Sequence, residues 1–212
     1  MTSVTARPAK APDQPLDEAD LRRWPWGIGW VELLDGLALV RSRHPHGFTV
    51  DDLDVVPDDG RRHELLDGVI VVSPSPSRHH QRVVTRLAAV LVAAETGEAQ
   101  TLVAPLDVRL ALGTRVQPDV VVLPTGGGEL PSLVVEVLSP SSRRYDLGRK
   151  RMAYQQAGVP TYWLVDPEEP ALTVLELDDS GRYVETVAVR GDEPYVASQP
   201  FALRLTPAEL LR

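Results

Sequence analysis

Gln117-Pro118-Asp119-Val120-Val121-Val122-Leu123, a break at Pro124-Thr125-Gly126-Gly127-Gly128, and Leu133-Val134-Val135-Glu136-Val137-Leu138 form the stretch that decides the fold of this chain. Each flank is an apolar, β-branched run, and the Pro-Thr-Gly-Gly-Gly between them is turn chemistry, so the segment predicts a β-hairpin. A turn centred on Gly127 and Gly128 sets Asp119 opposite Glu136. Facing side chains on paired strands have Cβ atoms about 4.5–5.5 Å apart, and like charges there are destabilising. Two carboxylates so placed in an apolar sheet need something to neutralise them. A hard divalent cation bound through oxygen is one answer. Carboxylate-bound Mg²⁺ is also a means of activating water against a phosphodiester.

Composition narrows the field. The 212 residues are 43% hydrophobic and 25% charged, which suits one globular domain with an appendage. The absence of cysteine excludes disulfides and thiolate metal sites. With only five histidines, carboxylates and carbonyls are the natural metal ligands. A formal net charge of −8 argues against nonspecific coating of nucleic acid or anionic membrane, but leaves room for a local basic groove. No apolar run reaches membrane-span length and no secretory signal is visible, so a cytoplasmic protein is the expectation.

Outward from the hairpin, residues 1–23 are rich in Ala, Pro and Asp and read as a disordered tail. Residues 24–47 read as a Trp-rich arm, with Trp24, Trp26 and Trp30 docking on the body or on a second subunit rather than stacking on bases. The body spans 48–212. Thr49 caps a short helix, and Glu64 to Val72 forms two strands around the Asp67-Gly68 turn. Val83, Val84, Leu87 and Leu91 recur at helical spacing up to a stop at Gly97. Leu106 to Leu110 alternates as a strand. A second helix runs from Tyr145 or Asp146 to Ala157. Thr161 to Asp166 is a strand, and a hairpin closes the chain. This order predicts an α/β fold with a mixed sheet flanked by helices.

Lys150 follows the Glu136 strand on that second helix. Its spacing puts it on one stripe with Leu147, Tyr154 and Ala157. A helix packed on the sheet aims such a stripe inward, where an ammonium could position a water or offset charge growing on a phosphate. Asp146, four residues earlier, is placed to pair with it. Arg143, Arg144, Arg149 and Arg151 make a basic run beside the carboxylates, a candidate phosphate-binding rim, and Arg78, Arg82 and Arg86 add a stripe on the first helix. Asp107 reads as solvent-facing or paired with Arg109. By spacing alone, Glu64 is a structural ion-pair former and His80 a solvated residue at a helix start. A neutral imidazole at His80 could instead shuttle a proton or touch a phosphate.

This arrangement resembles the PD-(D/E)XK nuclease superfamily and, more closely, the Uma-two family of restriction-endonuclease-like proteins. The matching pieces are Arg62-His63-Glu64-Leu65-Leu66-Asp67-Gly68, Pro74-Ser75-Pro76 with His80-Gln81, Leu106-Asp107-Val108-Arg109-Leu110 and the two flanks of the hairpin. Asp146-Leu147-Gly148-Arg149-Lys150 and Gly158-Val159-Pro160-Thr161-Tyr162-Trp163-Leu164-Val165-Asp166 complete the set. The resemblance implies a restriction-endonuclease-like mixed β-sheet core flanked by helices. It implies metal ligation by Asp119, Glu136 and the Val137 carbonyl, with Glu64 as an accessory acid. One departure is visible: the position two after Glu136 is Leu138 rather than Lys, which assigns the lysine role to Lys150 on the following helix.

The sequence therefore predicts a Mg²⁺- or Mn²⁺-dependent endonuclease acting on nucleic acid, DNA before RNA. Asp119, Glu136, Lys150, Glu64 and His80 are its catalytic candidates, and a homodimer is the assembly that cutting both strands favours. The alternatives are a catalytically inactive nucleic-acid-binding or assembly module on a nuclease fold, and a hydrolase of smaller phosphoesters.

Overall fold

The computed structural model describes residues 14–22, 29–56, 60–128 and 130–212. In chain order the elements are α1 (Glu18–Arg22), β1 (Gly29–Leu34), β2 (Leu37–Ser42), α2 (Val50–Asp54), β3 (Arg62–Leu66), β4 (Val69–Ser73) and α3 (Arg78–Ala93). There follow β5 (Ala99–Val103), β6 (Val108–Ala111), β7 (Thr114–Val116), β8 (Val120–Pro124) and β9 (Leu133–Val137). A composite helix comes next: α4 (Arg143–Tyr145), a π-turn (Asp146–Lys150) and α5 (Arg151–Ala157). The chain ends with β10 (Thr161–Asp166), β11 (Ala171–Leu177), β12 (Tyr183–Arg190), β13 (Tyr195–Ala197), β14 (Leu203–Leu205) and a 3₁₀ turn, Pro207–Leu210. No helix among the described residues is long and apolar enough to cross a membrane.

Two six-stranded sheets form the body. One has the order β1-β2-β4-β3-β7-β6 and is antiparallel throughout. The other has the order β12-β11-β10-β9-β8-β5 and is mixed, with β9 and β10 its parallel pair. Parallel neighbours need a crossover connection, and here the composite helix supplies it. β9 and β10 are buried at every position, as expected of strands covered on both faces. On one face Val120, Val122, Val135 and Trp163 pack against Val83, Leu87 and Leu91 of α3. On the other, Val121, Val134 and Tyr162 meet Leu66, Val71 and Val116 of the first sheet and Tyr154 of α5. The far face of the first sheet is closed by Leu16, Phe48, Val50 and Leu53.

The hairpin forms as the sequence predicts. Val120 pairs with Val135, Val121 with Val134 and Val122 with Leu133, a register whose next step brings Asp119 to Glu136. Thr49 and Asp52 make a reciprocal capping box at α2. Three features differ from expectation. α3 ends at Ala93, capped by Ala94, short of Gly97. Trp30 lies in β1, 66% exposed and beneath the Arg43 guanidinium, so of the two expected docking surfaces the body of its own chain is not the one it uses; Trp24 and Trp26 lie outside the described residues. Within the stretch read as a tail, Leu16 is buried and its N–H bonds to the Gly36 carbonyl. An isolated Leu carries no periodic signal, so its partners on β2 and β4 could not be seen from composition.

Asp67 and Gly68 both take positive φ, 51° and 74°, the geometry of a tight hairpin between β3 and β4. A Cβ at Gly68 would sit 3.0 Å from Gly47 Cα. Gly68→Ala is therefore expected to destabilise the protein by about 1–3 kcal/mol through strain and crowding, read as a lower denaturant midpoint. An unchanged midpoint would mean that this turn is not held in its left-handed form.

Candidate active site

The site is built where the two sheets meet. Residues two apart on a strand share a face, so β3 turns Arg62 and Glu64 together toward the second sheet. The register of β8 and β9 places Asp119 beside Glu136. Ser77 caps α3 by accepting from the His80 N–H, which fixes the first turn and directs His80 to the buried face it shares with Val83, Val84 and Leu87. The π-turn and α5 supply Asp146, Lys150 and Tyr154. These groups converge at a cleft of about 320 Å³ flanked by the Ser73–Ser77 and Ser139–Ser142 loops. Glu64, Asp119, Glu136, Asp146 and Lys150 are all buried.

Lys150 is not the solvated lysine that a basic run usually contains. Its Nζ lies 2.9 Å from Glu64 Oε1, 3.0 Å from Glu136 Oε1 and 3.8 Å from Asp146 Oδ1. The Tyr154 hydroxyl donates to the same Glu136 oxygen at 2.7 Å, and the Gln117 N–H donates to Glu64 Oε1 at 2.7 Å. Asp119 has its own partners. Arg62 donates to Oδ1 at 2.9 Å and the Val137 N–H donates to Oδ2 at 2.8 Å. His80 Nε2 lies 3.0 Å from Oδ2. His80 Nδ1 and Asp146 Oδ1 are buried without a hydrogen-bond partner.

The electrostatics follow from this geometry. Burial pushes Asp119 up, but Arg62, then His80 and Lys150, outweigh it and hold the carboxyl well below its usual range. Burial pushes Glu136 well up, and Lys150 only partly offsets the effect while Asp146 and Asp119 add to it. Asp146 is pushed up to about 6, again by burial first. Burial alone would lower Lys150, yet Glu136, Glu64 and Asp146 raise it, so the ammonium is firmly charged. A pair of titratable groups pushed apart in this way is a mark of functional sites.

Four carboxylates thus face two permanent cations, Arg62 and Lys150. With all four ionised the balance is negative by two charges, which one divalent ion would neutralise; without such an ion, burial holds Glu136 toward its protonated form. Among the described residues no three acidic or imidazole groups already converge as a finished metal cage. Lys150 sits between Glu64 and Glu136, while Arg62 and His80 hold Asp119. The donor set nevertheless fits a hard cation. It is all oxygen, and Oε2 of Glu64 and of Glu136 makes no hydrogen bond among the described residues.

The basic run divides. Arg143 is exposed and pairs with Asp166 at 2.6 Å. Arg144 is exposed and reaches Asp35 at 3.3 Å. Arg149 is exposed with no hydrogen bond or ion pair among the described residues. Arg151 is half-buried and donates to the Tyr183 carbonyl at 3.2 Å, which ties it to β12. None of these four lines the carboxylate cleft; the guanidinium there belongs to Arg62. Asp107 meets Gln117 and Arg115 rather than Arg109. Leu147 is 43% exposed, so the inward stripe is Asp146, Lys150 and Tyr154. The π-turn causes this change, because its wider spiral alters which residues align. Arg62 is the site member that sequence reasoning missed, and alternation from Glu64 could have found it; Tyr154 was placed on the inward stripe by helical spacing, but its bond to Glu136 was not foreseen.

No curated protein matches the chain. Among solved structures it is similar to a crystal structure described as "a putative nuclease belonging to DUF820" from Anabaena variabilis. That likeness has a TM-score of 0.62 and 20% identity, covering 77% of this chain and 97% of the other, and it shows a common, restriction-endonuclease-like fold. The family Uma2, described as "Putative restriction endonuclease", matches residues 50–208, and over that span, most of its length, this chain belongs to the Uma2 family.

Proposed function

We propose that the protein is a Mg²⁺-dependent endonuclease that hydrolyses phosphodiester bonds of nucleic acid, with DNA as its substrate and Mn²⁺ able to replace Mg²⁺. The observation that supports this is the burial of Glu64, Asp119 and Glu136 with Lys150 in one cleft, where four carboxyl groups counting Asp146 meet two permanent cations. Asp119, Glu136 and the Val137 carbonyl would hold the metal, with Glu64 as accessory acid. When bound, the metal lowers the pKa of a water and neutralises the phosphate. Lys150 then orients the attacking oxygen and offsets charge on the phosphoryl group. Arg62 and His80 fix Asp119, and His80 can move a proton at the cleft wall. The new P–O bond forms as the old one breaks, and the leaving oxygen takes up a proton. Cutting both strands of a duplex favours two such sites in a homodimer.

A second reading is an inactive nucleic-acid-binding module, favoured by the internal neutralisation of Asp119 by Arg62 and of Glu136 by Lys150. Plasmid incubated with pure protein separates the two. Nicking or linearisation in Mg²⁺ or Mn²⁺ that stops in EDTA is expected. DNA binding without turnover in either metal would select the inactive module.

A further inference from the structure

A second hollow, of about 420 Å³, shares the Tyr145 side chain with the carboxylate cleft. Its lining includes Leu34, Asp67, Arg144, Arg149 and Met152. The chemistry there is mixed in a specific way. Arg144 and Arg149 bring two exposed guanidinium groups. Arg144 meets Asp35 in a surface ion pair with both side chains exposed, and such a pair contributes little. Leu34 and Met152 supply apolar surface, with Met152 56% exposed. Asp67 is a single acid beside them.

Tyr145 carries the second, independent observation. It is 5% exposed, and its hydroxyl is buried with no hydrogen-bond partner. Buried hydroxyls are rarely left unbonded, and an exception calls for an explanation. Within electrostatic reach of this group are Glu64 and Lys150 of the cleft and Arg149 and Asp67 of the hollow. Tyr145 lines both spaces, and a ligand extending from one to the other would give its hydroxyl a partner.

We propose that the hollow is a nucleotide subsite, holding one nucleotide of the strand whose neighbouring phosphodiester enters the carboxylate cleft. This rests on the nuclease reading above. The Arg144 and Arg149 forks bind the phosphate of that nucleotide. Leu34 and Met152 support its base. Asp67 accepts from an exocyclic amino group, which favours adenine, guanine or cytosine over thymine. Tyr145 donates to the sugar–phosphate link between the two positions. Taking in one unstacked nucleotide suits a single strand or an opened end better than a continuous stacked duplex.

Fluorescence anisotropy of a labelled single-stranded oligonucleotide in Ca²⁺, followed across a salt series, tests this. In the double variant Arg144→Gln/Arg149→Gln, affinity is expected to fall at least about tenfold, since removing one charge-assisted hydrogen bond is worth about that factor. The slope of log affinity against log salt should become shallower by about 0.7 for each phosphate that is no longer neutralised. Met152→Ala, which shortens the apolar floor and leaves both arginines in place, should also weaken binding. Mn²⁺ binding measured by calorimetry should stay unchanged in all three proteins. Unchanged affinity and slope in the double variant would overturn the subsite while leaving the nuclease reading intact. Loss of Mn²⁺ binding in the same variant would place the effect in the cleft and overturn it too. A wild-type protein that binds no single-stranded oligonucleotide would also overturn the subsite, while cleavage of plasmid would still decide the nuclease reading on its own.

Discussion

Glu136→Gln is expected to lower metal-dependent cleavage by about a thousandfold or more while raising the melting temperature of the metal-free protein at pH 8. The first effect follows from removing a charged ligand of the proposed metal. Metal stabilisation of a phosphoryl transition state is worth several kcal/mol, and each 1.36 kcal/mol is tenfold in rate. The second follows from burial. Glu136 is 1% exposed, and its charge is costly enough that the group is pushed well above the ordinary carboxyl range despite Lys150 at 3.0 Å. Gln keeps a carbonyl oxygen to accept from Tyr154 and Lys150 but carries no charge. Lys150 retains Glu64 at 2.9 Å. Activity and stability thus pull in opposite directions at this position, as they do where a site is held in a state unfavourable to the fold. Initial rates on plasmid and a thermal melt in EDTA check the two halves. Cleavage at the wild-type rate would remove Glu136 from the reaction. A lower melting temperature would mean that the ionised carboxylate strengthens the fold.

Lys150→Met should be the most destabilising single change at the site. The thioether fills similar volume, so the loss isolates the charge. Glu64, Glu136 and Asp146 would then be buried without their shared cation. Breaking one side of a buried ionic cluster costs about 3–5 kcal/mol, and at about 2–4 °C per kcal/mol for a chain of this size the melting temperature should fall by roughly 10 °C. The deficit depends on pH in a defined direction. A carboxyl whose folded pKa exceeds its unfolded value binds its proton more tightly when folded, so its cost is absent in acid and grows as pH rises through the folded pKa. Asp146 is pushed up to about 6 and Glu136 is also raised, even with the lysine present. Melts in EDTA should therefore show the full deficit at pH 8 and a smaller one below about pH 6. An equal deficit at both pH values would assign the effect of Lys150 to packing alone.

Much of this site was legible because its signals are local. The β8–β9 hairpin announces itself through two apolar runs and a glycine turn, and its register follows from where that turn is centred. Asp119 and Glu136 could thus be paired before any fold was known. Glu64 and His80 were legible only through family resemblance. Each lies far along the chain from the hairpin, and nothing local shows that β3 of one sheet will face β8 and β9 of the other. Arg62 was hidden for the same reason, because its partner Asp119 is 57 residues away. The helix misled in phase. Regular spacing puts both Asp146 and Leu147 inward, whereas across the π-turn Asp146 stays in and Leu147 is turned out. Such a turn reflects tertiary packing around Lys150 and leaves no clear mark in the residues that form it. The arginine run was readable as charge, but which of its members are already engaged by Asp166, Asp35 or the Tyr183 carbonyl depends on strands elsewhere in the chain.

Because Glu64 and Arg62 belong to one sheet while Asp119, Glu136 and Lys150 belong to the other layer, neither half alone carries the full set of groups. A nascent or half-unfolded chain would be chemically silent. Competence of the proposed nuclease would therefore require the two layers to be docked, and separating them would disarm the chain before it lost its secondary structure.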